Sequence, residues 1–133
     1  MDTKQPGQQY LKIMVETASP VRNIIALYEK CLSHLRSARK SLAAGEIALK
    51  SESLCKAMDI LFYLDNTLDS AEPKTAQSLH RSYQVILAQL SLANSGNSLE
   101  ALGQAEKWLV GLLRAWQGIA PGGENQGPAG SSP

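Results

Sequence analysis

Residues Pro20 to Leu42 read PVRNIIALYEKCLSHLRSARKSL. Apolar or small side chains recur at Ile24, Tyr28, Cys31, Leu35, Ala38 and Leu42, in alternating steps of four and three. That spacing keeps one side of an α-helix against neighbouring helices along its whole length. A second line, Ile25, Leu27 and Leu32, widens the stripe to the breadth a core-facing bundle helix needs. The ends are marked as well. Thr17 or Ser19 can accept from free helix amides, and Pro20 suits the first helical position. Gly45 stands where a left-handed cap favours glycine, and Arg36, Arg39 and Lys40 sit where the helix dipole favours cations. A helix with so broad a stripe needs partners, and three further stretches supply them.

The second helix is expected from about Glu46 to Asp69, with Ile47, Leu54, Met58, Leu61 and Leu68 in line and Asp65 falling on the same line. Its part from Ala57 to Leu64 is apolar almost all round, with Asp59 its one charge, which calls for cover on a second side. Pro73 breaks the chain. A third helix follows over about Thr75 to Ala93, with Leu79, Tyr83, Ile86, Leu90 and Ala93 in line and Val85, Leu87 and Leu92 off it. Together, helices two and three predict a surface groove near Ile60, Tyr63, Leu64 and Leu87. Asn94-Ser95-Gly96-Asn97 reads as a turn with glycine supplying positive φ, and Asn97 or Ser98 as the cap of a fourth helix. That helix carries Leu99, Leu102, Leu109, Leu113 and Trp116, with Ala105, Trp108 and Leu112 alongside, and ends near Gly118. The expectation is all-α: an antiparallel four-helix bundle with a short N-terminal arm and a disordered C-terminal tail.

One domain is expected over 1–119, with 1–9 flexible and 10–16 an arm; 120–133, rich in Gly, Pro and Ser, is the tail. Tyr10, Leu11, Ile13, Met14 and Val15 form an apolar cluster too short to be a stable helix alone, so it serves as a packing arm or as a cover over a site. Residues 20–44 carry five basic groups and one acidic, residues 45–70 two basic and five acidic, which favours pairing the first two helices.

Composition bounds the function. A formal net charge of +1 leaves no basic excess for nucleic acid, and no apolar run reaches the length of a membrane span. The N-terminus has no secretory apolar region. Cys31 and Cys55 cannot make a four-ligand zinc site and read as reduced thiols of a cytosolic protein, a disulfide between them being the alternative. His34 and His80 lack the surroundings of a phosphotransfer histidine, and no Glu-x-x-His pair for a di-iron centre, phosphate loop or nucleophile motif appears. No cofactor, metal or catalytic residue is therefore expected. Arg36, Arg39 and Lys40 read as a solvated face. Asp65 and Asp69 are either exposed acids near a helix end or, for Asp65, a polar anchor beside a groove. Tyr28 and Tyr83 read as core tyrosines with their hydroxyls at the rim, or as part of the same groove.

These residues resemble a known family, the FliS flagellin-specific export chaperones. Tyr10, Thr17-Ala18-Ser19-Pro20 and Leu27-Tyr28 resemble its opening; Leu64 with Leu68-Asp69 its leucine and L-D at the end of helix two. Leu79 with Tyr83, Ala93-Asn94 and Leu113-Arg114-Ala115-Trp116 resemble its later landmarks, so that the likeness runs from Tyr10 to Ile119. Glu29-Lys30 and Ala71-Glu72-Pro73 depart from its usual aspartate-glycine and glycine-bearing loop.

The resemblance implies a cytosolic, non-enzymatic chaperone that binds the disordered C-terminal segment of flagellin, prevents premature polymerisation and assists delivery to the flagellar type III export apparatus. Flagellin and export gate components are the implied partners, the chaperone itself being a monomer or weak dimer. It also implies that the arm covers part of the client site and moves when client binds. The candidate client-binding residues are then Tyr10, Ile13 and Met14 of the arm with Tyr28, Ile60, Tyr63, Leu64, Leu68, Tyr83 and Leu87. The competing reading is a helical-bundle adaptor or chaperone of another secretion system.

Overall fold

A computed structural model describes residues 20–68 and 72–119. It contains four helices: α1 Pro20–Ala43, α2 Ile47–Asn66, α3 Pro73–Gly96 and α4 Leu99–Gly118. They form an all-α bundle in which α1 packs on α2 and α4, and α3 packs on α4 and α2. The α1–α2 junction is the most extensive and the α2–α3 junction the least. The expectations for Tyr10, Ile13, Met14, the Thr17/Ser19 cap, Asp69 and the tail fall outside the described residues.

The first stripe builds the core. Tyr28, Cys31, Leu35 and Ala38 are fully buried, as are Leu54 and Leu61 of α2, Ile86 and Leu90 of α3, and Leu102 and Leu109 of α4. Short side chains let α1 and α2 approach: the Cys31 thiol donates to the Ala57 carbonyl at 3.5 Å. Gly45 closes α1 with φ 75°, the left-handed conformation glycine adopts without a Cβ clash. Glu72 caps α3 ahead of Pro73, its carboxylate accepting from the Thr75 amide at 2.9 Å; Ser98 caps α4 by accepting from the Ala101 amide at 3.0 Å.

Several local expectations are corrected. α3 begins at Pro73, earlier than Thr75, because the Glu72 cap and the proline pre-set its first turn. It also continues through Gly96, so the left-handed residue of the turn is Asn97, at φ 51°, and not the glycine. Asparagine tolerates this conformation better than other side chains with a Cβ. Ile47 and Leu99 are exposed rather than in the core, since each lies in the first turn of its helix, at the end of the bundle. Arg39 stays partly solvated, its side chain 42% exposed, but its guanidinium also pairs with Glu106 of α4 through both Nε and Nη2. This bidentate pair ties α1 to α4, and its hydrogen bonds hold the guanidinium pKa above its ordinary value.

Candidate binding surface

The candidate residues divide between the interior and the surface. Tyr28, Ile60, Leu64 and Tyr83 lie in the core, and Leu87 at its edge. Tyr63 and Leu68 are half-buried and pack against that core. Helix periodicity separates them further. Ser51 and Asp65 each bond to α3, through Asn94 and His80, and so mark the α3 side of α2. By helix periodicity Ile60 and Tyr63 fall away from that side of α2, while Leu87 belongs to α3. The structure brings Tyr28 and Tyr83 together.

Tyr28 and Tyr83 meet across the bundle. Their hydroxyls share a 2.8 Å hydrogen bond, and the Trp116 indole N–H donates to the Tyr28 oxygen at 3.0 Å. The Tyr28 ring stands edge-on to both other rings, with centroids 6.4 Å from Tyr83 and 6.5 Å from Trp116. The hydroxyls therefore sit inside, not at the rim, because each finds its partner in the core. Burial, the largest effect, raises the pKa of both phenols, so they stay protonated and available as donors. This knot joins α1, α3 and α4. Beside it, His80 Nδ1 and Asp65 Oδ1 lie 2.8 Å apart, with His80 exposed, which links the ends of α2 and α3. Asp65, on the apolar stripe, is thus a polar tie between helices.

The opposite end of α2 holds a group the sequence reading missed. Lys50 is buried, and its ammonium donates to the Asn94 carbonyl at 2.7 Å and to Asn94 Oδ1 at 2.9 Å. The Ser51 hydroxyl donates to the same Oδ1 at 2.8 Å. The partners lie in the last turn of α3, where the helix dipole favours a cation. Lys50 precedes Leu54 by four residues, so a lysine on the apolar stripe was the signal available. Cys31 is buried and Cys55 exposed, and both are free thiols. Burial pushes the Cys31 thiol up to about 12, which leaves it unreactive.

Large apolar side chains are exposed on three helices: Ile47, Leu49 and Phe62 of α2, Leu92 of α3, and Leu99 and Trp108 of α4, with Ile119 just past its end. On α4 Trp108 is 43% exposed, and Ile119, which caps its end, 64%. One depression is lined by Gln104, Lys107, Trp108, Gly111 and Leu112. A second, between α3 and α4, has a volume of about 380 Å³ and is lined by Leu79, Leu112, Ala115, Trp116 and Ile119 with Lys74, Thr75 and Ser78. Phe62 of α2 is also half exposed. Among the described residues, no helix is long and apolar enough to cross a membrane, and no cluster of potential metal ligands forms.

Fold and surface together define a four-helix bundle with a closed core and apolar depressions on its surface. Residues 3–123 match the family model of FliS, the flagellar protein FliS. The chain is similar to the flagellar secretion chaperone FliS of Salmonella typhimurium, at 31% identity over 91% of this chain and 94% of that protein. It is also similar to the flagellar secretion chaperone FliSB of Pseudomonas aeruginosa, at 30% over 88% and 94%, and to FliS of Bacillus subtilis, at 28% over 88% and 87%. The chain belongs to the FliS family of flagellar secretion chaperones.

Proposed function

We propose that this protein binds the C-terminal segment of flagellin in the bacterial cytoplasm, keeps it from polymerising and assists its delivery to the flagellar export apparatus. The observation that carries this reading is family membership along nearly the whole chain, joined to exposed apolar surface on an otherwise well-packed bundle. Physically, a segment disordered on its own lays an apolar face into grooves and becomes helical as it does so. Such coupled folding buries on the order of 1,000–3,000 Å² and loses several kcal/mol to ordering, which suits a client that must later be released. No step needs a cofactor or a covalent bond.

In this reading Tyr63, Leu68 and the edge residue Leu87 touch the client. Tyr28, Ile60, Leu64 and Tyr83 act from beneath, fixing the spacing of the helices. Tyr10, Ile13 and Met14 cover part of the site in the free protein. Covering lowers apparent affinity by the fraction of molecules that are open. The test is a pull-down with flagellin from the same organism, full-length and with its C-terminal segment removed, followed by hydrogen exchange. Full-length flagellin should be retained and the truncated form lost. The amides of Ile13, Met14 and Val15 should lose protection on binding while α2 gains it. Equal retention of both forms would remove the C-terminal segment from the proposal, and unchanged or increased protection of the arm would reduce it to a structural strap.

A further inference from the structure

α3 ends without a cation of its own. Its last turn holds no basic residue, and the helix stops at Gly96, so the carbonyls of that turn lack the usual intrahelical amide. The Ala93 carbonyl is taken by the Asn97 and Ser98 amides. The Asn94 carbonyl is taken by a side chain from another helix, the buried Lys50 of α2, at 2.7 Å. Lys50 Nζ and the Ser51 hydroxyl also both donate to Asn94 Oδ1, at 2.9 and 2.8 Å. The cap of α3 is therefore built across the α2–α3 junction.

That junction is the least extensive of the bundle, so apolar contact fixes the position of α2 along α3 less firmly than at the other junctions. A buried ammonium is costly there. Lys50 is 1% exposed, and among the described residues it forms no ion pair. What it contributes is direction. A slip of α2 by one turn would bring Glu46 or Leu54 to the place of Lys50, and Ile47 or Cys55 to that of Ser51. A carboxylate there would face two oxygens, and a leucine would leave both without a donor. In place of the serine, Cys55 would offer a weak S–H and Ile47 nothing. The register with Lys50 and Ser51 in place is the one that satisfies Asn94.

We propose that Lys50 is a positioning residue: with Ser51 it locks the register of α2 against α3, at little or no gain in stability, and so sets the spacing of the client-contact residues that the two helices share. Tyr63 stands on α2, Leu68 just past its end and Leu87 on α3. A one-turn slip moves the first two about 5.4 Å along the third, which unmakes any surface that uses all three. A single buried polar group fixes helix register in coiled coils by the same means, through the cost of the wrong pairings. The inference deepens the chaperone reading above and, for its effect on the client, rests on it.

The test uses the full chain with Lys50→Met, which removes the charge and keeps most of the side chain's length, and with Asn94→Ala, a milder change that leaves the main-chain carbonyl in place. Asn94 is half-buried, so water can take the acceptors that Lys50→Met sets free, and both variants should melt within a few degrees of the unsubstituted protein. Register is read from the distance between nitroxide labels on Cys55, the exposed thiol of α2, and on Gln84→Cys at an exposed position of α3; Cys31 is buried and stays unlabelled. The background protein should give one narrow distance. Lys50→Met should give a broader or divided distribution, and Asn94→Ala a smaller change of the same kind. Titrated with the C-terminal segment of flagellin from the same organism, Lys50→Met should bind about fivefold more weakly or worse. Narrow distances in both variants, unchanged affinity where the distances broaden, or a loss of affinity merely in step with a loss of folding would overturn the proposal. Should Lys50→Met fail to fold, Asn94→Ala decides by the same measures. If the unsubstituted protein does not bind the segment, the chaperone reading fails, while the distances still decide whether Lys50 sets the register.

Discussion

The α1–α2 and α3–α4 junctions are built from similar helices yet end differently. Between α1 and α2, small residues meet, with Cys31 against Ala57, and the seam is sealed. Between α3 and α4, the end near the Asn97 turn is also closed by small residues, Ala93, Ala101 and Ala105, all buried. Toward the other end, Leu79, Leu112 and Trp116 replace them, and the seam opens into a trough. Trp116 is drawn inward by its bond to Tyr28, which leaves its neighbours Leu112 and Ala115 as the wall of that opening. The difference teaches that one hydrogen-bonded aromatic knot can both finish a core and shape the surface above it.

The largest expected effect tests the sealed seam. Leu35→Ala, at a fully buried position, should cost roughly 2–5 kcal/mol in denaturant unfolding. A loss under about 0.5 kcal/mol would place Leu35 outside the sealed seam.

Next comes the knot. Tyr28→Phe leaves the Trp116 N–H and the Tyr83 hydroxyl without their shared partner, at an expected cost of about 1–3 kcal/mol. The same variant should weaken client binding, because the wall carrying Leu112 and Trp116 loses its anchor. A stability loss with unchanged affinity would separate core from surface and undo the comparison.

The exposed apolar surface of α4 should behave in the opposite way to the sealed seam. Trp108→Ala should alter stability by no more than about 0.5 kcal/mol, as for an exposed position, while its effect appears in binding. A larger loss in thermal melts would mean that Trp108 packs as core.

The smallest effect concerns pH. Burial, aided by Lys30 and Lys56, lowers the pKa of His34 below its unfolded value of 6.5. The unfolded chain then binds the proton more readily, so stability falls as pH drops through about 6.5 and is regained above it. His34→Gln should flatten that part of a stability–pH profile, by less than any change above. An unaltered slope would show that His34 is solvated in the folded protein.

The fold was legible because four stripes with helical spacing are long, regular and separated by recognisable caps. Leu35, Leu54, Leu61, Ile86, Leu90, Leu102 and Leu109 were all on those lines and are all buried. The ends of the helices were harder to read. Ile47 and Leu99 obey the period but lie where no neighbour reaches, and Gly96 lost its expected turn role to Asn97. The surface was less legible still. An apolar excess on helices two and three says that cover is needed, but not whether the bundle itself supplies it. Ile60, Leu64 and Leu87 are covered by the bundle. Trp108 and Ile119, read as part of a core helix or just past it, are exposed. Lys50 was passed over because a lysine on a stripe looks like an interruption until the Asn94 carbonyl and side chain that receive it are seen together.

The central claim is that an unstructured flagellin segment folds onto this bundle. Calorimetric titration with the C-terminal segment of flagellin from the same organism, repeated at several temperatures, tests it most directly. One-to-one binding with favourable enthalpy and a distinctly negative heat-capacity change is the predicted result, since apolar surface is buried as the segment orders. Absence of binding, or binding with no heat-capacity change, would contradict it.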